Sequence, residues 1–276
     1  MASWLASLVT GIVNQRAGLD GSVLSTPNDP LAALAQEPIT AAALETARTE
    51  VDALLWRRDV RAAAAEVAAA SVERGARDSA AIDGADVVVV DSSPMGRVLE
   101  AALRLTAAVP GQVDVFATAP LQALAHLHGL AAHGFVGDEE LGRPRLTDRA
   151  DDPLSLGDLP SAREAANRLA LLADVLTTPT AAPALMVAAI AHAEVASVRP
   201  FSWGSGLVSR AVVRLVMAAR GVDPSLFSIP ERGLLELGRP AYVKALRAYA
   251  SGTPAGITEF VVWHSTAVAL GAQAVP

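Results

Sequence analysis

Hydrophobic residues recur along most of this 276-residue chain at the three- and four-residue spacing of amphipathic helices. A first helix is predicted to begin near Thr40, because one of its faces would carry the apolar residues Leu44, Ala47, Val51, Leu54 and Leu55. The same spacing predicts further helices over residues 59–80, 95–108, 121–132, 162–176, 183–198, 205–220, 240–250 and 257–270. The pattern therefore predicts an all-α fold with a minor β element.

Three stretches depart from this helical spacing. Residues 86–90 read DVVVV, and a run of β-branched residues predicts a short strand. Residues 134–160 are interrupted by glycine, proline and aspartate, which predicts a long loop or a small hairpin; ordered loops of that length are often functional. Residues 1–39 are rich in small and polar residues after a short apolar opening. We therefore predict an N-terminal arm at residues 1–39 and a helical domain at residues 40–275.

Composition and charge exclude several classes of protein. The net charge is −7 with a pI near 5.2, so the basic footprint of a nucleic-acid-binding protein is missing. The longest apolar run, residues 181–198, contains His192 and Glu194, which favours a buried helix over a membrane span. The chain has no cysteine, and its start lacks a basic signal-peptide region. These features predict a cytoplasmic protein with neither nucleic acid nor membrane as a partner.

The sequence VRPFSWGSGLVSR, residues 198–210, carries the candidate chemistry. Pro200 forbids continuation of the preceding helix, and a Gly-Ser-Gly turn opens the next one. The unpaired N–H groups of a helix N-terminus favour an anion. An anion or nucleotide site is predicted from the residues Arg199, Gly204, Ser205, Gly206 and Arg210. On spacing alone, an ordinary helix corner with surface arginines is the favoured explanation, because short glycine motifs are weak evidence.

A family resemblance favours the anion site. HAEVASVRPFSWGSGLVSR, residues 192–210, resembles the HPFx(D/E)GNGRxxR signature of the Fic (Fido) family and the helix before it. The matching positions are Pro200, Phe201, Gly204, Gly206 and Arg210. The resemblance extends over residues 40–275, and it implies a Fic-type helical bundle with a small β-hairpin flap.

Two further stretches carry the resemblance. RDSAAIDGA resembles the family's inhibitory motif, with Ser79, Asp83 and Gly84 on its fixed positions and aspartate in place of glutamate. The resemblance implies that Asp83 neutralises Arg210, although aspartate is one methylene shorter than the family's residue. LQALAHLHGL resembles the family's Leu-His helix, which makes His128 its structural histidine. Residues 134–160 then correspond to the target-docking flap, where a protein partner would bind.

The departures from the signature bear on the chemistry. The family transfers AMP or another phosphate-containing group from a nucleotide to a protein hydroxyl, using a histidine base and an acidic Mg²⁺ ligand. Arg199 stands at the histidine position, and arginine cannot accept a proton because its pKa is above about 12. Trp203 stands at the acidic position and offers no oxygen to Mg²⁺, while Leu207 replaces the first arginine. We therefore assign no catalytic residue and no metal ligand; the expected cofactor is at most ATP or another nucleotide.

Two functions follow from these substitutions. The first is a nucleotide- or phosphate-binding or regulatory protein-interaction module without ordinary AMP transfer. The second is an active transferase with altered chemistry, in which the target or the substrate supplies the base. A dinucleotide-binding fold is disfavoured, because GADVVVVDSSP lacks the glycine fingerprint. We predict that His192 is a buried, hydrogen-bonded core residue and that Trp203 is a packed hydrophobe.

Overall fold

The computed structural model describes residues 29–276, and within them thirteen α-helices form the protein. The helices are α1 Pro30–Ala35, α2 Pro38–Trp56, α3 Arg58–Ala62, α4 Ala64–Ile82, α5 Pro94–Ala108, α6 Val113–Thr118, α7 Pro120–Ala132, α8 Ala162–Thr177, α9 Ala184–Val198, α10 Ser205–Ala219, α11 Pro230–Leu237, α12 Arg239–Ala250 and α13 Pro254–Gln273. The predicted all-α fold is confirmed for this part of the chain.

Helix α9 lies at the centre of the bundle. Its sequence is apolar on every side, and all but two of its residues, Ala184 and Ser197, are buried. Such a helix needs partners all round, and it packs against α8, α10, α12 and α13. It ends where Arg199 adopts a left-handed conformation with φ of 47° and Pro200 follows. The turn between α9 and α10 is therefore fixed to the centre of the fold.

A close approach joins α4 to α10 beneath this turn. The Arg214 guanidinium lies against Gly75, where a Cβ atom would come within 2.2 Å of its Nη2 atom. Arg214 also forms a bidentate pair with Glu231, with distances of 2.7 and 2.8 Å, and both side chains are buried. Glycine at position 75 therefore makes room for a buried charge pair, and α4 continues through it unbroken.

Most predicted helices agree with the structure to within a few residues, but the stretch from 59 to 80 differs. It divides into α3 and α4, because Ala63 leaves helical geometry with φ of −115° and ψ of 35°. Three short helices, α1, α6 and α11, were not predicted; each has eight residues or fewer, too few for a clear period. The part of the predicted arm at residues 1–28 lies outside the described residues.

The predicted β elements are absent from residues 29–276. Residues 86–90 cross the surface between α4 and α5 without strand pairing, and Val88 is 86% exposed. A strand needs a partner for its N–H and C=O groups, and none lies beside this run. Between α7 and α8 an isolated bridge joins His133 to Val136, and a short 3-10 turn follows at Asp138–Glu140. Residues 133–161, hereafter the α7–α8 segment, therefore form a loop rather than the predicted hairpin. No helix within the described range is long and apolar enough to cross a membrane.

Candidate functional site

The turn before α10 presents the backbone of residues 204–206 at a helix N-terminus. Gly204 is left-handed, with φ of 76°, which glycine adopts without steric cost. The Ser205 hydroxyl accepts a hydrogen bond from Phe201 N at 3.1 Å and lies 3.2 Å from Phe201 O, to which it donates. The Ser205 hydroxyl group therefore closes the turn. The predicted anion ligand at this residue is its backbone amide, so the prediction for Ser205 is unaffected by this contact.

Arg210 lies one turn further along α10 and is buried. Its Nε donates to Ser79 Oγ at 2.7 Å, and its Nη2 donates to Asp83 Oδ2 at 2.6 Å. The structure thus brings together three residues predicted from two separate motifs. Aspartate is shorter than glutamate, but Asp83 reaches Arg210 because residue 206 is glycine. A Cβ atom at that position would lie 3.2 Å from both Asp83 oxygens and would crowd the end of α4. Gly84, with φ of 94°, directs the chain away after Asp83.

Two buried polar atoms at this contact have no hydrogen-bond partner: Arg210 Nη1 and Asp83 Oδ1. Both lie beside Gly206, at 3.3 and 3.2 Å from its Cβ position. Burial opposes the charge of Arg210, yet the adjacent Asp83 carboxylate holds its pKa above the ordinary value. Buried polar groups are nearly always hydrogen-bonded, so these two atoms stand out within a contact that is otherwise satisfied by the Asp83–Arg210 pair, Ser79 and Tyr242.

Arg199 does not face the amides of the turn. Its Nη1 pairs with Asp152 Oδ2 at 2.9 Å, and its Nη2 donates to the carbonyl oxygens of Gly157 and Asp158 at 2.8 and 2.5 Å. The Arg199 carbonyl oxygen in turn accepts a hydrogen bond from Arg145 Nε at 2.8 Å. The guanidinium that was predicted to bind an anion therefore holds the α7–α8 segment against the turn.

Asp151, which belongs to no predicted motif, lies at the helix N-terminus itself. Its Oδ2 accepts a hydrogen bond from Gly204 N at 3.2 Å, and its backbone N–H donates to Ser202 O at 2.9 Å. Burial raises the pKa of Asp151 to about 6; the Gly204 hydrogen bond lowers it and the Asp83 charge raises it. The aspartate pair at residues 151–152 was visible in the sequence, but only the path of the α7–α8 segment shows where it points.

Trp203 packs against the α7–α8 segment, as the prediction of a packed hydrophobe requires. Its indole stacks on Phe135 with ring centroids 3.8 Å apart, and the Arg97 guanidinium lies 4.7 Å from the Phe135 ring centroid. The Trp203 carbonyl oxygen lies 3.2 Å from His128 Nε2. Trp203 therefore joins the turn to the α7–α8 segment.

The two predicted structural histidines are both buried and hydrogen-bonded. His128 Nδ1 accepts from Gly142 N at 2.9 Å, which leaves Nε2 to donate to Trp203 O, and burial lowers the pKa of His128 to about 4. His192 Nε2 lies 2.5 Å from Tyr242 Oη, and burial holds the pKa of His192 well below its usual range. Both imidazoles are neutral at physiological pH, and both serve packing.

Three donors of the predicted site thus hold carboxylates from this chain. Arg210 holds Asp83, Gly204 N holds Asp151, and Arg199 holds Asp152. In the described range no cluster of three or more histidine or acidic residues is arranged to hold a metal ion. The site is a helix N-terminus closed by carboxylates from α4 and the α7–α8 segment.

Solved structures with this architecture define its class. A Fic family protein from Desulfovibrio desulfuricans G20 superimposes with a TM-score of 0.67 at 18% identity, covering 84% of this chain and 73% of that one. Fic-1 from C. elegans gives a TM-score of 0.57 at 16% identity, covering 99% and 80%. No family model and no curated protein matches the sequence. The chain therefore has the fold of Fic family proteins.

Proposed function

We propose that this protein is a Fic-fold binding module with a degenerate catalytic loop. The observation that carries the proposal is Arg199, which stands at the position of the family's histidine base. Its guanidinium is bonded to Asp152 and to two backbone carbonyls, and it has no lone pair with which to accept a proton. A general base contributes about 10²- to 10⁴-fold to a proton-transfer step, so ordinary AMP transfer is lost with it.

The retained activity in this proposal is binding of a phosphate-bearing ligand such as ATP, without a metal ligand from the protein. The amides of residues 204–206 and the Arg210 guanidinium form the anion-binding frame, and Arg210 Nη1 is a donor without a partner. Asp83 competes with the ligand for Arg210, because its carboxylate lies 2.6 Å from Nη2. Binding is therefore weak until Asp83 is neutralised or displaced.

Calorimetric titration with ATP, once with Mg²⁺ and once with EDTA, tests this function. We expect ATP affinity to be similar in both buffers, to rise about tenfold in Asp83→Asn, and to disappear in Arg210→Gln. Arg220→Ala is the matched control, since Arg220 lies at the other end of α10 and donates to Leu176 O. Absence of ATP binding by both the natural protein and a folded Asp83→Asn variant contradicts the proposal.

The alternative, an active transferase with altered chemistry, predicts a different observation. Incubation with Mg²⁺ and ATP labelled in its α-phosphate would then place label on a protein hydroxyl. The module predicts binding without covalent label. Label that requires Arg210 would replace the module proposal with the transferase.

We also propose that a protein partner docks on the α7–α8 segment. Leu146 is 95% exposed there and lines a surface groove with the exposed arginines Arg143, Arg149 and Arg163, which form no ion pair within residues 29–276, and with Glu139 and Glu140. A groove with an exposed apolar residue and three cations that lack an intramolecular ion pair suits a partner that carries an apolar side chain and an acidic group. A photocrosslinker at position 146 should capture one defined protein in cells. The proposal is supported if Arg149→Glu abolishes that crosslink and Arg58→Glu, a charge reversal in α3 outside this groove, does not. Capture that is unchanged in Arg149→Glu contradicts it.

A further inference from the structure

Asp151 occupies the position that a bound anion would take at the α10 N-terminus. Its carboxylate accepts the Gly204 N–H at 3.2 Å, and its own N–H is fixed to Ser202 O at 2.9 Å. Gly204 is left-handed at this point, which directs its N–H out of the turn toward the carboxylate. A carboxylate on an open helix N-terminus satisfies the same N–H groups and dipole as a phosphate oxygen.

Independent evidence that this turn faces a polar ligand comes from the buried Arg210 side chain. Its Nη1 lacks a hydrogen-bond partner and lies beside Gly206, in the first turn of the same helix. Arg210 is 1% exposed, so solvent does not satisfy this donor. The orphaned donor thus lies beside the first turn of the helix whose N-terminus Asp151 contacts from the α7–α8 segment.

The α7–α8 segment is held in this position from both sides of Asp151. Arg145 donates its backbone N–H to Pro200 O and its Nε to Arg199 O, each at 2.8 Å. On the other side, Arg199 binds Asp152, Gly157 O and Asp158 O. Residues 145–158 therefore form one strap across the turn, and the Asp151 carboxylate can leave Gly204 only if the strap moves.

We propose that Asp151 is an internal stand-in for the ligand, so that a phosphate-bearing ligand binds residues 204–206 only after the strap has released this carboxylate. The inference rests on the proposed anion-binding function and assigns its regulation to a residue outside the resembling motifs. It concerns a different donor and a different segment from the Asp83–Arg210 contact, although the Asp83 charge acts on Asp151.

The charges around Asp151 determine how the release depends on pH. Asp83 faces it from the end of α4, Arg199 from the end of α9, and Asp152 from the strap itself; burial and the two carboxylates outweigh Gly204 N–H and Arg199, and they raise its pKa to about 6. A released Asp151 would titrate near the ordinary value of about 4. Protons therefore bind the closed form more tightly, so closure is favoured at low pH and release is favoured as pH rises through about 6.

Two substitutions at this position predict opposite results. Asp151→Asn keeps an oxygen acceptor for Gly204 N–H and removes the buried charge, so the strap stays closed at every pH. Asp151→Ala removes the acceptor, so the strap opens. At about pH 8 we expect ATP to bind Asp151→Ala about tenfold more tightly than the natural protein, and Asp151→Asn less tightly.

Hydrogen exchange of the strap provides a readout that needs no ligand. The amide of Asp151 donates to Ser202 O and that of Arg145 to Pro200 O, so both report opening. Exchange of these two amides should be faster in Asp151→Ala and slower in Asp151→Asn than in the natural protein. After division by the intrinsic exchange rate at each pH, the exchange should depend on pH only in the natural protein. Asp158→Ala is the matched control: it removes one charge from the same strap, and its exposed side chain makes no hydrogen bond.

The outcomes separate this inference from the proposed function. If ATP binds through Arg210 but Asp151→Ala matches Asp158→Ala in affinity and exchange, the role of Asp151 is overturned and the proposed function stands. If no variant binds ATP, the proposed function fails. Hydrogen exchange then tests whether Asp151 holds the strap closed. Opposite changes of the exchange rate in the alanine and asparagine variants support this role, and equal exchange rates overturn it.

Discussion

At the scale of single residues, the site is defined by which carboxylate reaches which donor. Asp83 and Asp151 come from segments far apart in sequence and meet at the first turn of α10. Their surroundings differ: Asp83 contacts a buried guanidinium, whereas Asp151 has one backbone N–H as its hydrogen-bond partner. An anion with a weak partner in a half-buried position costs folding free energy, and this makes Asp151 a measurable contributor to pH-dependent stability.

Asp151→Asn is expected to stabilise the protein at neutral and alkaline pH. The pKa of Asp151 is raised by burial to about 6, so its favourable contribution is present below the unfolded-state pKa and is lost as pH rises through about 6. The variant should exceed the natural protein in unfolding free energy by about 1–3 kcal/mol at about pH 8, with no gain at about pH 4. Urea denaturation at both values measures the difference. A gain that persists at low pH would show that the buried charge is not its cause.

The sequence allowed some of these residues to be predicted and not others. Ser79, Asp83 and Arg210 could be paired because each lies in a motif with fixed spacing, and the structure brings them into contact. Arg199 was assigned to the anion from its place in the turn, but the left-handed φ of 47° sends its side chain to Asp152 instead. Asp151 belongs to no motif. Its role depends on a loop path that residue periodicity does not encode.

At the scale of secondary-structure elements, α4 and α10 are packed closely enough that glycines decide their separation. Gly206 in α10 leaves room for the Asp83 carboxylate, and Gly75 in α4 leaves room for the Arg214 guanidinium. Both ion pairs of α10 therefore depend on a glycine at the place where α4 and α10 meet. Helical propensity ranks Gly75 as a weak point in α4. Tertiary packing reverses that ranking, which explains why a helix interrupted by glycine in the sequence remains continuous in the fold.

Gly75→Ala is accordingly expected to destabilise the protein, although alanine favours helix by about 1 kcal/mol. The new methyl group would lie 2.2 Å from Arg214 Nη2 and 2.9 Å from Glu231 Oε2, so the buried pair must shift. We expect a loss of about 2–4 kcal/mol in unfolding free energy, measured by urea denaturation. Gly129→Ala in α7 is the control, because its nearest neighbouring atom lies at 4.0 Å, and it should be neutral or slightly stabilising. Equal effects of the two substitutions would refute the packing argument.

The order of the long helices could be read from the sequence because their apolar period extends over several turns. The β elements could not, since residues 86–90 have strand propensity without a partner strand, and propensity alone does not supply one. The α7–α8 segment was expected to be a hairpin from its resemblance. In the structure its hydrogen bonds go to arginine side chains and to the α9–α10 turn, which replaces strand pairing as its source of order.

At the scale of the whole molecule, the site is assembled from three parts that are far apart in sequence: the end of α4, the strap of the α7–α8 segment and the α9–α10 turn. The central helix α9 fixes the turn, while the other two parts approach it from the surface. These two parts are held by apolar packing as well as by polar contacts, since Ile82 of α4 and Leu154 of the strap belong to the hydrophobic core. A large displacement of either part would therefore expose buried apolar surface.

The exposed valines at residues 88–90 have a consequence for the behaviour of the protein in concentrated solution. β-branched side chains on an unpaired backbone are the usual starting point for cross-strand self-association. Asp86 and Asp91 flank the run and are exposed, and hydrogen bonds from Ser93 hold the pKa of Asp91 below its usual range. Charges in such positions act as gatekeepers against aggregation. We expect the colloidal stability of this protein to depend on these two flanking carboxylates.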